Sequence, residues 1–436
     1  MRPAAGKFSF LKCLYVAAFC FGFAAGAPAK VAANPFPQIK VLIESGQYQE
    51  AMALSAQLSG DPALSALSQQ FTRALILKHE GRLKEAAVLM RDILIEEPNF
   101  SRVRQELAHT LSLMGEKKAA LYHFQMLADT APSESLRSFY EDFIDRVNID
   151  RPWTLGGYIA IAPSTNISNA TDQDMIQVGG IPLRPGTKAE SGVGLNYGLN
   201  GTYSFQLQDD LSLTFGGSVT GLAYEAATYN QTQFGGFSQL SWRMDPWIFS
   251  GGLTGEYVLM GNEPYRTGFG PVFSVRRSFG AFGVTSANVA FQWLDYTNMD
   301  AYDGYSTGFS INHRYALDSA SSIRVGGGFS YVHAKKDHNS YAGYNLNAKY
   351  AREWSGGILT DIEIGGTLRD YAGDFPLMTK PRLDRRIDVA VGATFRNFAF
   401  KGFAPRLEYA YGQNFSNVDL YDYNKSTFAA FLTKQF

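Results

Sequence analysis

Two different periods of apolar residues divide this chain. From about residue 152 onward every second residue is apolar. Ile387, Val389, Val391, Ala393 and Phe395 alternate with Arg386, Asp388, Ala390, Gly392, Thr394 and Arg396. Leu211, Leu213, Phe215, Gly217 and Val219 alternate with Ser212, Thr214, Gly216, Ser218 and Thr220, and Ile323, Val325, Phe329 and Tyr331 repeat the scheme. A strand with one lipid-compatible face and one small, polar or charged face fits a transmembrane barrel wall. A soluble sheet protein is the alternative, but it needs a packed apolar interior, and these second faces are rich in glycine and charge. Fourteen such segments begin near Trp153, Ser191, Leu211, Gln231, Trp247, Tyr265, Phe282, Gly304, Ser321, Tyr341, Gly357, Arg385, Pro405 and Ser426.

The connections support the same reading. Asp209-Asp210, Asp245-Pro246, Gly280-Ala281, Asp318-Ser319, Ser355-Gly356 and Lys401-Gly402 are tight, and most hold turn residues. The connections between them are mostly longer, notably 163–190, 372–382 and 417–425. Short and long links alternate in outer-membrane barrels, which places the short ones and the C-terminal end in the periplasm. The segment 163–190 is a candidate plug or client-contact loop.

Before residue 150 the period is helical. Val103, Leu107, Leu111 and Met114 share a face that breaks at Gly115, and Ala120, Phe124 and Leu127 follow before Pro132. Ala74, Gly81, Ala86 and Pro98 precede Ala108, Gly115, Ala120 and Pro132 by one common step of about 34 residues, the period of tetratricopeptide repeats. Gly46 and Ala51 open an earlier, irregular unit, and 135–147 is a closing helix. Such repeats usually hold a partner on the face built by the first helix of each unit. Here those positions are Ser68, Phe71, Leu75, Lys78 and His79, then Arg102, Gln105, His109, Ser112 and Leu113. Several of them also fit plain solvated helix positions.

Composition sharpens the division. All five tryptophans follow residue 150, and both cysteines, Cys13 and Cys20, precede residue 30. Arg2, Lys7 and Lys12 lead into an apolar run, and Ala27-Pro28-Ala29 fits a cleavage site. The run is too short for a spanning anchor, so residues 1–29 read as a secretory signal peptide. Residues 30–150 form a periplasmic helical domain and 151–436 the barrel. The expected fold is therefore multidomain: a tetratricopeptide-type helical domain followed by a 14-stranded antiparallel outer-membrane β-barrel.

A net charge of −1 gives no support to a nucleic-acid partner. No histidine pair has metal-ligand spacing on one helix face, no phosphate-binding glycine loop occurs, and no catalytic site or cofactor is expected. Arg324, Asp361, Glu363, Arg386, Asp388, Arg396, Arg406 and Glu408 are expected to face the lumen, either pairing to stiffen the wall or lining a passage. A lining of mixed sign does not fit an ion- or sugar-selective pore. In the last strand Phe428, Ala430, Leu432 and Phe436 share one face, interrupted by Lys434. The terminal aromatic resembles the signal read by the barrel-assembly machinery.

Signal peptide, repeat domain, barrel and terminal aromatic together resemble the surface lipoprotein assembly modulators (Slam), of the group also called the type eleven secretion system. Ala162-Pro163-Ser164-Thr165-Asn166-Ile167-Ser168-Asn169 resembles that family's stretch after the first barrel strand. The resemblance implies export of a client protein, a surface lipoprotein or a secreted haem- or metal-capturing protein, with the barrel-assembly machinery and outer-membrane lipid as further partners. A polysaccharide exporter or a porin with a periplasmic scaffold is the alternative.

Overall fold

The structure, a computed structural model, describes residues 36–57, 62–97, 99–131, 133–150, 152–318, 320–354, 358–398, 400 and 403–433. The expected signal peptide, Pro98, Pro132, Lys434 and Phe436 lie outside the described residues.

Seven helices come first: α1 (Phe36–Glu44), α2 (Tyr48–Ala56), α3 (Pro62–His79), α4 (Leu83–Glu96), α5 (Ser101–Met114), α6 (Lys117–Asp129) and α7 (Glu134–Asp150). Three identical turns separate α1 from α2, α3 from α4 and α5 from α6. Gly46, Gly81 and Gly115 each take a left-handed φ near 80°. Each glycine N–H and the next N–H bond back to the end of the preceding helix, as in Gly115 N to Ser112 O (3.0 Å) and Glu116 N to Leu111 O (2.9 Å). This closes the orphan carbonyls of each helix with a residue that bears φ > 0 without strain. Ala51, Ala86 and Ala120 are fully buried where the paired helices cross, as the sequence spacing requires. The core gathers Phe71, Met90, Ile93, Val103, Leu107 and Leu111.

The strands are β1 (Trp153–Ser164), β2 (Ile176–Val178), β3 (Ile181–Leu183), β4 (Gly192–Gln208), β5 (Leu211–Tyr224), β6 (Gln231–Met244), β7 (Trp247–Met260), β8 (Glu263–Ser278), β9 (Val284–Tyr296), β10 (Gly304–Ala316), β11 (Ser321–Ala334), β12 (Tyr341–Trp354), β13 (Ile358–Asp374), β14 (Pro381–Phe395), β15 (Ala404–Ser416) and β16 (Tyr423–Thr433). Strands β2 and β3 form a hairpin of their own, and the other fourteen close a barrel of neighbouring antiparallel pairs, β1 meeting β16. Among the described residues no helix is long and apolar enough to cross a membrane. The barrel crosses with its strands, and closure leaves no unpaired sheet edge to lipid.

The outward face is the apolar one. Leu155, Ile159 and Ile161 of β1, Phe269 and Phe273 of β8, and Ile387 and Val391 of β14 are exposed on the outside, while their sequence neighbours turn inward. Phe428 and Leu432 of the last strand lie on the same outer surface. The 165–191 connection folds against the barrel end remote from the helices. Asn166 Nδ2 donates to Asn424 O (3.0 Å), Gln177 N to Asp419 Oδ2 (2.9 Å) and Lys425 Nζ to Asn169 Oδ1 (3.1 Å).

Leu107 is fully buried among the helices. Leu107→Ala is expected to cost the helical region about 2–5 kcal/mol. Urea unfolding followed by helical circular dichroism checks this, and the barrel's heat-resistant electrophoretic mobility should stay unchanged.

Candidate functional site

Three regions hold polar side chains that packing alone does not require: the lumen wall, the rim where the helices dock, and the exposed face of the helical region.

In the lumen, inward alternation brings charges from neighbouring strands together. Arg406 of β15 grips Asp361 of β13 with both terminal nitrogens (2.6 and 3.0 Å) and reaches Glu408 at 2.7 Å. Lys349 of β12 lies 3.2 Å from Asp361 and 3.4 Å from Glu363. Arg386 holds Asp388, two residues along β14, at 2.7 Å, and donates to the Tyr423 hydroxyl at 3.0 Å. Gly392 leaves room for the Arg406 guanidinium, since a Cβ there would meet it. Pairs of this kind, within a strand or across strands, are charge-assisted and fix the geometry of the wall. Arg324 of β11 stands apart from them: its register neighbours are Arg314 of β10 and Lys349. A cavity of about 390 Å³ lies against this wall, lined among others by Asn169, Glu363, Arg386, Asp388 and Lys425. The first long connection thus reaches the charged side of the lumen through Asn169.

Arg396 departs from the expected pattern. It follows β14 in a turn at the helix-side rim and does not join the lumen wall. There it bonds Glu353 Oε1 at 3.0 Å and lies over the Tyr122 ring of α6 at 4.7 Å. Arg104 of α5, fully buried, reaches Glu353 Oε2 at 3.3 Å from the other side and donates to His123 Nδ1 at 3.1 Å. One carboxylate at the end of β12 thus joins two guanidinium groups, one from the helices and one from the barrel. Arg137 Nη1 to Ser278 (3.2 Å) and Arg276 Nη2 to Gln125 (3.4 Å) tie the helices to β8 on another side of the same rim. A guanidinium only donates, so the bond from Arg104 needs a lone pair on His123 Nδ1 and hence a neutral imidazole. Burial, with Arg104, Arg396 and Arg91 around it, holds this histidine well below its usual range.

The helical surface set divides when placed in the fold. Phe71 is a core residue, packed edge-on to Phe36 at 5.5 Å, and Ser68 is buried with its hydroxyl spent on Leu64 O (2.8 Å). Both leave the candidate binding face, because α1 covers the α3 positions that a more regular first repeat would have left open. Leu75 packs partly into the core as well. Lys78, His109, Arg102, Gln105, Ser112 and Leu113 remain accessible in part or in full. Lys78 bridges Glu106 (2.6 Å) and His109 (2.8 Å), His109 meets Phe143 of α7 edge-on at 6.1 Å, and His79 meets the Tyr48 hydroxyl at 3.1 Å. Burial and Lys78 keep His109 below its ordinary range. Glu106, Phe143 and Tyr48 belong to this face and were missed by sequence reasoning, which carried positions across by one repeat offset. Arg104 was also missed, although its signal was legible: an arginine on the apolar stripe of Leu107, Ala108 and Leu111 must have an acid in reach. On α5, Arg104 points opposite to Arg102, Glu106 and His109 by helical geometry. The docked face and the exposed face are therefore different sides of one helix.

With this geometry in place, comparison with known proteins is direct. The family model described as "Surface lipoprotein assembly modifier" matches residues 153–436, the whole barrel. The chain belongs to the surface lipoprotein assembly modifier family. Surface lipoprotein assembly modifier 2 of Neisseria meningitidis serogroup B is 23% identical over 409 residues, covering 86% of this chain and 81% of that one. Surface lipoprotein assembly modifier 1 of Haemophilus influenzae is 20% identical over 395 residues, covering 84% and 77%. Among solved structures, a Pseudomonas aeruginosa FadL homologue is 10% identical with a TM-score of 0.37, covering 65% of this chain and 90% of its own. This assembly modifier is a closed 14-stranded β-barrel preceded by a helical region.

Glu353→Gln leaves Arg104 and Arg396 buried without their carboxylate, which costs about 3–5 kcal/mol when one partner of a buried pair is removed. The helical region of this variant is expected to become protease-sensitive while the barrel keeps its heat-resistant mobility.

The His123 site predicts a pH dependence. Its imidazole is held neutral in the folded chain, so the unfolded state binds a proton first as the pH falls. Docking is therefore expected to weaken as the pH drops below about 6.5. Proteolysis of the helical region at about pH 7.5 and 5.5 reads this out, and His123→Gln should flatten the dependence.

Proposed function

We propose that this chain carries a lipoprotein client across the outer membrane to the cell surface, receiving it in the periplasm on the exposed helical face. The observation that carries the reading is the placement of that face. The helices seat one side on the barrel rim through Arg104, His123 and Glu353, and turn the other side away from it, where Arg102, Gln105, Ser112 and Leu113 are accessible in part or in full around a half-buried cluster of Lys78, Glu106, His109 and Phe143. A porin has no use for such an attachment. Family membership supports a lipoprotein as the client, and a secreted haem- or metal-capturing protein is the second client class. The barrel serves as conduit and not as an enzyme, and it reaches the membrane through the barrel-assembly machinery, with the outer face of β16 as its assembly signal. The lumen supports a polypeptide cargo over a charged polysaccharide, because both signs interleave along this wall, Arg406, Lys349, Arg386 and Lys425 beside Asp361, Glu408, Glu363 and Asp388, and leave no field of one sign.

Surface lipoproteins of a deletion strain and of the complemented strain, compared by protease shaving, test this. One or more lipoproteins are expected to lose exposure without the protein. A chain lacking residues 35–147 is expected to assemble its barrel but not restore display. Normal display with that truncated chain would overturn the role given to the helices.

A further inference from the structure

The wall of the lumen is divided by chemistry. Among the described residues, the pairs Lys349–Asp361, Lys349–Glu363, Arg386–Asp388 and Arg406–Asp361 gather on β12 to β15, with Lys425 beside them on β16. The facing strands β4 to β9 carry inward Asn200, Thr202, Ser218, Gln233, Thr254 and Gln292, which line a separate depression of about 280 Å³ together with one charged side chain, Glu256. Glycines occupy many positions between them, and the inward Phe237 ring fills the space a side chain at Gly216 would take. Charges on this side are few, and the one in the depression, Glu256, is matched by Arg266 and by the Gln233 amide. Glu256 and Arg266 pair at 2.6 Å toward the far rim, and Arg243 and Arg276 stand near the helix-side ends of β6 and β8.

The far mouth is divided in the same way. Over the charged wall the 165–191 segment leans on Asn424, Ser426 and Asp419, and Gly179 lies against the Leu377 carbonyl. Beneath it Arg382 lies 3.2 Å over the Tyr421 ring, which meets Phe375 edge-on at 5.8 Å. Val418 is fully buried within this cover. Above β5 to β8 the links are the short stretches 225–230 and 261–262, and Ala226, Ala227 and Thr228 are exposed. The neutral wall and the less covered half of the mouth coincide.

We infer that the neutral face of β4 to β9 is the track along which an extended polypeptide crosses the barrel, while the charged wall of β12 to β16 is a fixed structural side. This rests on the export reading above. A moving chain brings segments of both signs past each point. A charged wall retains one sign and repels the other, and an apolar wall retains hydrophobic segments. Hydroxyl and amide side chains exchange hydrogen bonds with a passing backbone and with water alike, so each contact forms and breaks at little net gain. Passage needs that balance of entry and release. The charged wall has its side chains committed to each other and a folded cover above it.

Ser218 and Ala390 occupy comparable inward, mid-strand positions on β5 and β14. The native cysteines both precede residue 30, so single-cysteine variants of the full chain are simple to make. Ser218→Cys on intact cells is expected to react with a maleimide on a polyethylene glycol chain, and Ala390→Cys is expected to be protected. Equal labelling, or preference for Ala390→Cys, overturns the track. Display of the lipoprotein found by shaving is the second reading. Ser218→Glu and Ser218→Lys are each expected to lose it, and Ala390→Glu and Ala390→Lys to keep it, with heat-resistant mobility confirming folded barrels. Normal display in both Ser218 variants overturns the proposal. A wild-type chain that restores no lipoprotein while Ser218→Cys still labels overturns the export reading, and with it the polypeptide as occupant, but not the open track.

Discussion

Lipid offers no hydrogen bonds to a backbone, and nearly everything in this molecule follows from that. Each N–H and C=O within the bilayer must find a partner in another strand, and the only sheet that leaves none over is a closed one. Closure between β1 and β16 then forces alternate residues outward into lipid and inward into a lumen. The inner face has no apolar core to join, so its chemistry is free to differ from strand to strand. That freedom allows one arc of the wall to carry paired charges and the opposite arc to carry hydroxyls and amides. A packed soluble core would have excluded both.

The same constraint decides what the sequence made legible. Strand count and most strand starts followed from the two-residue period, because lipid enforces that period where the wall meets it. The errors fall where lipid is absent. Strand β14 begins at Pro381 and not near Arg385, and β16 begins at Tyr423 and not near Ser426, since both ladders continue past the apolar belt. Out there pairing persists but the outward side chains meet water, so the pattern fades. The helical turns were legible through Gly46, Gly81 and Gly115 for the complementary reason that only a few residues bear the φ they need.

Site residues were less legible, and the reason is distance along the chain. Asp361 and Arg406 share a face but not a strand pair, so facing the lumen could be read and their bond could not. Arg104 and Glu353 are 249 positions apart and belong to different structural units. Nothing local announces such a partner; only the misfit of a cation on an apolar stripe hints at one. Phe71 shows the opposite failure. Transferring repeat positions by offset assumes equal covering of each unit, and α1 packs on α3 where the later units have a different neighbour.

The docking interface is polar where it is most buried, and this bears on the export route proposed above. The face of α5 that carries Arg102, Glu106 and His109 looks away from the rim, so a chain held there does not already point into the barrel. Either the client passes around the docked helices or the helices shift. An apolar interface of similar size would resist any shift. Arg104, His123, Arg396 and Tyr122 meet around Glu353, and every one of these groups is well solvated once separated. The cost of parting them is offset by hydration, and their directional bonds restore one seating when they rejoin. A joint of this kind holds position without being permanent, which suits the receiving role proposed for the helices.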